Sequence, residues 1–294
     1  MKTDSGPPPL PPPDYARLVT LTTRPSYTIV SIHAEPANVL TLDLWRALAA
    51  ALRTVEADPG QQAIAFVSTL QRPIFSAGND IQELYAPNTT ADRYRDFWVT
   101  SNTFLVDLYT SRLLTVAGIR GACPAGGCAL SMCCDVRVMT SKGYIGLNEV
   151  ALGIHVPKFW GELMRRTMSK ASGAAVDRVL LDATLMPSQR AFEMGLVDEL
   201  VGDRDGNGGD SDALWRRVEE VLARGTSGKS RRVMAARHTT KLVGREEFVA
   251  RWRAYLEQEA VLGWESLRDE GTVRQLKSVL DGLKKTTKKP RAKL

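Results

Sequence analysis

The sequence predicts an α/β protein, a layered core with parallel strands followed by an all-helical C-terminal region. Three observations carry this. Short apolar runs alternate with amphipathic helical stretches up to about Asp210, the pattern of strands joined by crossover helices. Glycine-containing turns lead from strand into helix twice, at SAGND (residues 76–80) and at AGGC (residues 125–128). Beyond Asp210 only helical periodicity remains. With 294 residues, 44% of them hydrophobic, the chain has material for a large core, in one domain plus an appendage or in two.

The elements follow in order. LVTLTTRPSYTIVSIHA reads as a β-hairpin turning near Arg24, Pro25 and Ser26. TLDLWRALAAALRTVEADPG is a helix with Thr41 as N-cap and Pro59-Gly60 as its stop. AIAFVST is a buried strand, and PIFSAGND then enters the helical run IQELY, with Asp80 placed to cap it. DRYRDFWVTSNTFLVDLYTS is a longer amphipathic helix and LLTVAGI a second buried strand. CALSMCC follows as a buried helix. The C-terminal segments DALWRRVEEVLAR and REEFVARWRAYLEQEAVLGWESLRDEGTVRQLKSVL each carry an apolar side, so this region needs a surface to cover, as a lid or a subunit contact. The expected division is a disordered Pro-rich segment at 1–14, a core at 15–205, a helical oligomerisation or lid region at 206–283 and a basic tail at 284–294.

The net charge of +6 originates in the last segment, GLKKTTKKPRAKL, which holds six basic residues and no acid. No recognition motif or aromatic-interleaved patch accompanies it, so no nucleic-acid partner is expected. No apolar run approaches a membrane span. The N-terminal segment MKTDSGPPPLPPPDY lacks the apolar core of a signal peptide and the Arg-rich amphipathic character of a mitochondrial presequence. Ala292, Lys293 and Leu294 form a small-basic-leucine terminus of the kind read by the peroxisomal import receptor. The expected location is therefore the peroxisome or a related organelle such as a glycosome, with the mitochondrion as alternative.

Cys123, Cys128, Cys133 and Cys134 lack CxxC pairing and have no histidine nearby, so no metal site is expected and the four thiols read as small buried hydrophobes in a reducing compartment. Gly126 and Gly127 stand where a strand meets a helix. Absence of a Cβ lets a ligand approach the main chain, and the first N–H groups of a helix have no internal partners, which is how an oxyanion hole is built. Close helix packing would account for the same pair equally well. The turn at Ala77-Gly78 repeats the geometry, and two such turns could converge on one carbonyl oxygen; neither matches a phosphate loop. In YIGLNEVALGIHVP, Glu149 falls in an apolar stretch that would raise its pKa toward neutrality, the range useful for moving protons. The ordinary role of an acid near a helix start is a cap or dipole partner.

PIFSAGND, GACPAGGCALSMCCDVRV, YIGLNEVALGI and AFEMGLVDELV, in that order, resemble the signatures of the enoyl-CoA hydratase/isomerase (crotonase) superfamily over roughly residues 15 to 205. ACPAGGC with IGLNE is most similar to the Δ3,Δ2-enoyl-CoA isomerases of fatty-acid β-oxidation. The resemblance implies a spiral of repeated ββα units, a C-terminal helical region that packs in a homotrimer or dimer of trimers, and an acyl-CoA substrate with no separate cofactor. It places the two oxyanion-hole amides at Asn79 and Gly126, the CoA channel along Ser76, Ala77 and Gly78, and the catalytic acid at Glu149. Hydratases of the superfamily use two glutamates, and the first would fall at Ala129, so the resemblance favours a proton shift over water addition. A hydratase or another crotonase-type isomerase is the enzymatic alternative, and a non-catalytic RNA- or acyl-CoA-binding protein the other. Phe159 and Trp160 are candidates for the acyl-pocket wall or for plain core. His155 is read as structural, and Lys241 and Lys277 as solvated unless they meet CoA phosphates.

Overall fold

The computed structural model describes residues 15–202 and 210–288. The Pro-rich segment at 1–14 and the C-terminal tripeptide lie outside these residues. The hairpin is formed by β1 (Val19–Thr23) and β2 (Tyr27–Ile32), paired antiparallel with Thr23 opposite Thr28. Helix α1 (Leu42–Ala57) opens on Thr41, whose hydroxyl accepts from the Leu44 amide at 3.2 Å. Thr41→Ala should lower stability by about 1 kcal/mol, read as a shift in the urea midpoint.

The sheet runs β1-β2-β3-β4-β5-β6, with β3 (Ala63–Ser68), β4 (Leu114–Pro124) and β5 (Val136–Gly146) parallel to β2. Two short strands complete it: β6 (Met186–Pro187) joins antiparallel, and β7 (Glu199–Val201) pairs parallel with β5. Every residue of β3 is buried because both faces are covered, and alternate side chains go to different layers. Ile64 and Phe66 face α1 and α3 (Ala91–Thr110). Ala63, Ala65 and Val67 face Leu214, Val218 and Leu222 of α8 (Asp210–Thr226). The sequence grouped α8 with the C-terminal helices; its apolar stripe instead closes the back of the sheet.

β4 is longer than LLTVAGI suggests. It passes through Gly121, where the register with β5 shifts and φ is +72°. A Cβ there would fall 1.7 Å from the Pro73 carbonyl oxygen, so only glycine allows the bend. Past the bend, Ala122 bridges Ile74 and Leu40 bridges Asn79, which turns the chain into the second, smaller layer of the spiral.

The remaining helices are α2 (Ile81–Leu84), α4 (Gly126–Cys133), α5 (Lys158–Thr167), α6 (Gly173–Leu181), α7 (Ser188–Glu193), α9 (Arg231–Val243), α10 (Glu246–Leu267) and α11 (Glu270–Lys288). α10 lies along α3 of the same chain and buries Phe248, Trp252 and Leu256. A buried ion cluster fastens the junction of α9 and α10 to the sheet. Lys241 Nζ reaches Asp135 at 2.7 Å and donates to the Ser111 and Leu113 carbonyls, while Arg245 meets Asp135 at 3.1 Å. Lys241 is thus committed inside the chain, neither solvated nor free for a phosphate. Lys277, on α11, is exposed. No described helix is long and apolar enough to cross a membrane.

Candidate active site

The first turn is held from beneath. Ser76 Oγ donates to the Asn38 carbonyl at 2.8 Å and accepts from the Gly78 amide at 3.0 Å, and Asn38 Nδ2 donates to the Phe75 carbonyl at 2.9 Å. Gly78 has φ +86°. Leu40 takes the groups on either side of Asn79: its amide donates to the Gly78 carbonyl and its carbonyl accepts from the Asp80 amide. Because main-chain groups alternate in direction along a ladder, the Asn79 N–H points the other way. Asp80 then caps α2, accepting from the Gln82 amide at 2.9 Å.

The second turn arrives from β4. Ala125, with φ +49°, donates to the Gly146 carbonyl, and α4 starts at the next residue. Its first internal bond runs from Ala129 to Ala125, which leaves the Gly126 N–H without a helical acceptor. Among the described residues, neither the Asn79 nor the Gly126 amide has a protein acceptor. The turns touch. A Cβ at Gly78 would sit 3.7 Å from the Gly126 nitrogen, and one at Gly126 would sit 2.5 Å from Asn79 Oδ1. Glycine at both positions is what lets two separate bends bring their amides to one place.

β5 delivers the acid. Past Gly146 the chain forms a single 3₁₀ turn, Glu149–Leu152, closed by Gly153 in the left-handed region. Glu149 is only 4% exposed, and neither carboxyl oxygen has a hydrogen-bond partner. Loss of solvation pushes its pKa up to about 7, against a smaller downward pull from its own amide. It is the first residue of that turn, where an acid is expected, but its carboxyl group makes no capping hydrogen bond.

Ala77, Asn79, Ala125, Asn148 and Glu149 line one cavity of about 130 Å³. The lining also includes an aromatic stack: Trp160 stacks on Trp98 at 5.6 Å and Trp98 on Tyr94 at 6.0 Å. Ser76 and Gly78 brace the turn from behind rather than lining the cavity. Trp160 is on the wall, but its neighbour Phe159 points into the core and stacks on Trp252 at 5.8 Å, since successive residues of a helix face different ways. His155 lines the cavity and is exposed, which differs from the structural role expected for it. Ala129 is fully buried and off the wall. Among the described residues no cluster of three or more His, Cys, Asp or Glu side chains is arranged to hold a metal ion.

Sequence reasoning missed Tyr94, Trp98, Asn148 and above all Glu259, a second buried carboxyl group on the cavity. One signal was present. Trp252, Leu256, Glu259, Gly263 and Leu267 recur every three or four residues, so Glu259 falls on the buried stripe of α10.

A bent, two-layer parallel spiral with a helical cover, and two turn amides beside a buried acid, defines the crotonase fold class. The family model described as enoyl-CoA hydratase/isomerase matches residues 27–222, and the chain belongs to this family. It is 38% identical over 199 residues to the mitochondrial enoyl-CoA delta isomerase 1 of Rattus norvegicus, covering 67% of this chain and 64% of that protein. It is 30% identical over 219 residues to the Homo sapiens protein of the same name, covering 72% and 70%. Human mitochondrial delta3-delta2-enoyl-CoA isomerase superposes with a TM-score of 0.80 at 24% identity, covering 91% of this chain and 98% of that structure. Enoyl-CoA hydratase from Bacillus halodurans does so with 0.77 at 20% identity, covering 88% and 99%. At these identities the superpositions speak for the fold.

Proposed function

We propose that the protein converts 3-enoyl-CoA into trans-2-enoyl-CoA, with Glu149 carrying the proton. The observation behind this reading is the unpartnered Glu149 carboxyl group on the same wall as Asn79, with buried Ala129 where a hydratase would hold its other acid. Ionised Glu149 removes a proton from C2. The electron pair delocalises through the thioester carbonyl and the C3–C4 double bond, and the negative charge on oxygen meets the Asn79 and Gly126 N–H groups. These bind the dienolate more tightly than the neutral thioester. Protonated Glu149 then returns the proton at C4. The CoA portion would run along the main chain of Ser76, Ala77 and Gly78, and the acyl chain toward Trp160.

The names of the rat and human relatives support an isomerase and support the mitochondrial alternative for its location. The peroxisomal expectation rests on Ala292, Lys293 and Leu294 alone. A homotrimer or dimer of trimers goes with this reading, as does a substrate that brings its own CoA.

The test is a paired assay. Conjugation of 3-hexenoyl-CoA should exceed hydration of 2-hexenoyl-CoA by about 10²-fold or more, the scale of one missing acid-base group. Hydration as fast as conjugation would give the site to the hydratase reading.

A further inference from the structure

How much acyl chain fits beside Glu149 is set by the size of the cavity and by how far its walls can yield. The cavity measures about 130 Å³. An engineered apolar cavity of roughly 150 Å³ binds one benzene molecule, so this one has room for about six carbons. Each ring of its aromatic lining is pinned. Trp160 Nε1 donates to Asn102 Oδ1 at 2.9 Å, and Asn102 Nδ2, itself fully buried, donates to the Trp98 carbonyl at 3.0 Å. The Trp98 indole N–H bonds the Glu259 carboxyl group, whose Oε1 also accepts from the Lys158 amide at 2.8 Å. Through this buried acid α10 ties α3 to α5. Tyr94 is buried, stacked on Trp98 and held against α10: a Cβ at Gly263 would fall 2.3 Å from its hydroxyl oxygen. The described lining holds no methionine, the side chain that re-packs most readily around a ligand of another length.

We propose that the protein is selective for short acyl chains, of about six carbons, with Tyr94, Trp98 and Trp160 as the barrier to longer ones. This rests on the isomerase reading above and names the substrate class for it. A longer chain has to turn a tryptophan out of a buried hydrogen bond, which leaves Asn102 or Glu259 short of a partner, or to hold its thioester back from the Asn79 and Gly126 amides. An open groove behaves in the opposite way, because each further buried CH₂ tightens binding about fourfold. The sign of the length dependence therefore separates a closed cavity from a groove.

The experiment measures kcat/KM for 3-hexenoyl-, 3-octenoyl- and 3-decenoyl-CoA, and by titration calorimetry the Kd of the saturated hexanoyl-, octanoyl- and decanoyl-CoA, which read the cavity without the chemistry. In the wild-type protein both should worsen by about tenfold or more from six carbons to ten, the lower end of what one misfitting methylene costs. Tyr94→Ala should raise the decenoyl-to-hexenoyl ratio of kcat/KM by about tenfold, because it opens the wall without touching Glu149 or either amide. Should it fail to fold, Tyr94→Leu, which leaves a smaller void, and the wild-type series decide. A kcat/KM or an affinity that holds level or improves with length, or a ratio unmoved in a folded Tyr94 variant, overturns the proposal. Conjugation at no length, with the saturated thioesters still bound in the expected order, sinks the isomerase reading and leaves the chain limit standing; conjugation at every length alike sinks the chain limit alone.

Discussion

Glu149→Gln should lower kcat/KM for 3-hexenoyl-CoA by about 10²- to 10⁴-fold, the range of a general acid-base group, and should at the same time stabilise the protein at neutral pH. Both effects have one origin. The wild-type carboxyl group is raised from 4.5 to about 7 by burial. Below pH 4.5 it is protonated whether the chain is folded or not, and costs nothing. Between 4.5 and about 7 the unfolded chain releases the proton while the folded one keeps it, so stability falls as pH rises. Above about 7 the cost levels at about 3 kcal/mol, because each tenfold change in proton affinity is worth roughly 1.4 kcal/mol. Glutamine has no charge to desolvate, so the variant's advantage should be absent at pH 4 and full at pH 8, as read by urea unfolding at each pH. The wild-type rate should move oppositely, rising about tenfold per pH unit up to pH 7 and flattening above, because only the ionised acid takes a proton. A rate profile flat from pH 5 to 8, or an active Glu149→Gln protein, would remove the acid from the chemistry.

Gly126→Ala should cost about 10²- to 10³-fold in kcat, the scale of a lost oxyanion-hole donor. The added methyl would lie 2.5 Å from Asn79 Oδ1 and 3.0 Å from Leu40 Cδ1, so it must push the two turns apart at the point where their amides converge. Asn79→Ala alone should change kcat by less than about fivefold, since the Asn79 contribution comes from its main chain. Combined with Gly126→Ala it removes the atom struck first, and the double variant should recover part of the loss. Additive losses in that double-mutant cycle would show that the clash with Asn79 Oδ1 is not the source of the Gly126→Ala defect.

Local chemistry made much of this legible in the sequence. Thr41 and Pro59-Gly60 mark the ends of α1 and the Arg24-Pro25-Ser26 break marks the hairpin, whereas the glycine turns and Glu149 stood out only as candidates, and the family resemblance chose the functional reading over close packing and a cap. Long-range packing was not legible. Whether the apolar stripe of α8 meets a neighbouring subunit or the chain's own sheet depends on a surface far away in sequence. Lys241 looks like any surface lysine until Asp135, Ser111 and Leu113 come together around it. The sequence reading stops the strand at LLTVAGI, yet β4 continues to Pro124 by bending at Gly121. Phe159 and Trp160 are adjacent and aromatic, and only the orientation of α5 sends one to the core and the other to the cavity. Glu259 sat on a visible stripe, but nothing local says that its stripe faces a ligand space.

The α10 ceiling has a consequence for how the protein is made. During synthesis the chain emerges with its sheet, both bends and Glu149 available to fold, while Glu259, Gly263 and Leu267 leave the ribosome about a hundred residues later. Until the Asp135 clasp receives Lys241 and Arg245, the nascent molecule holds Glu149 in an unroofed trough open to water.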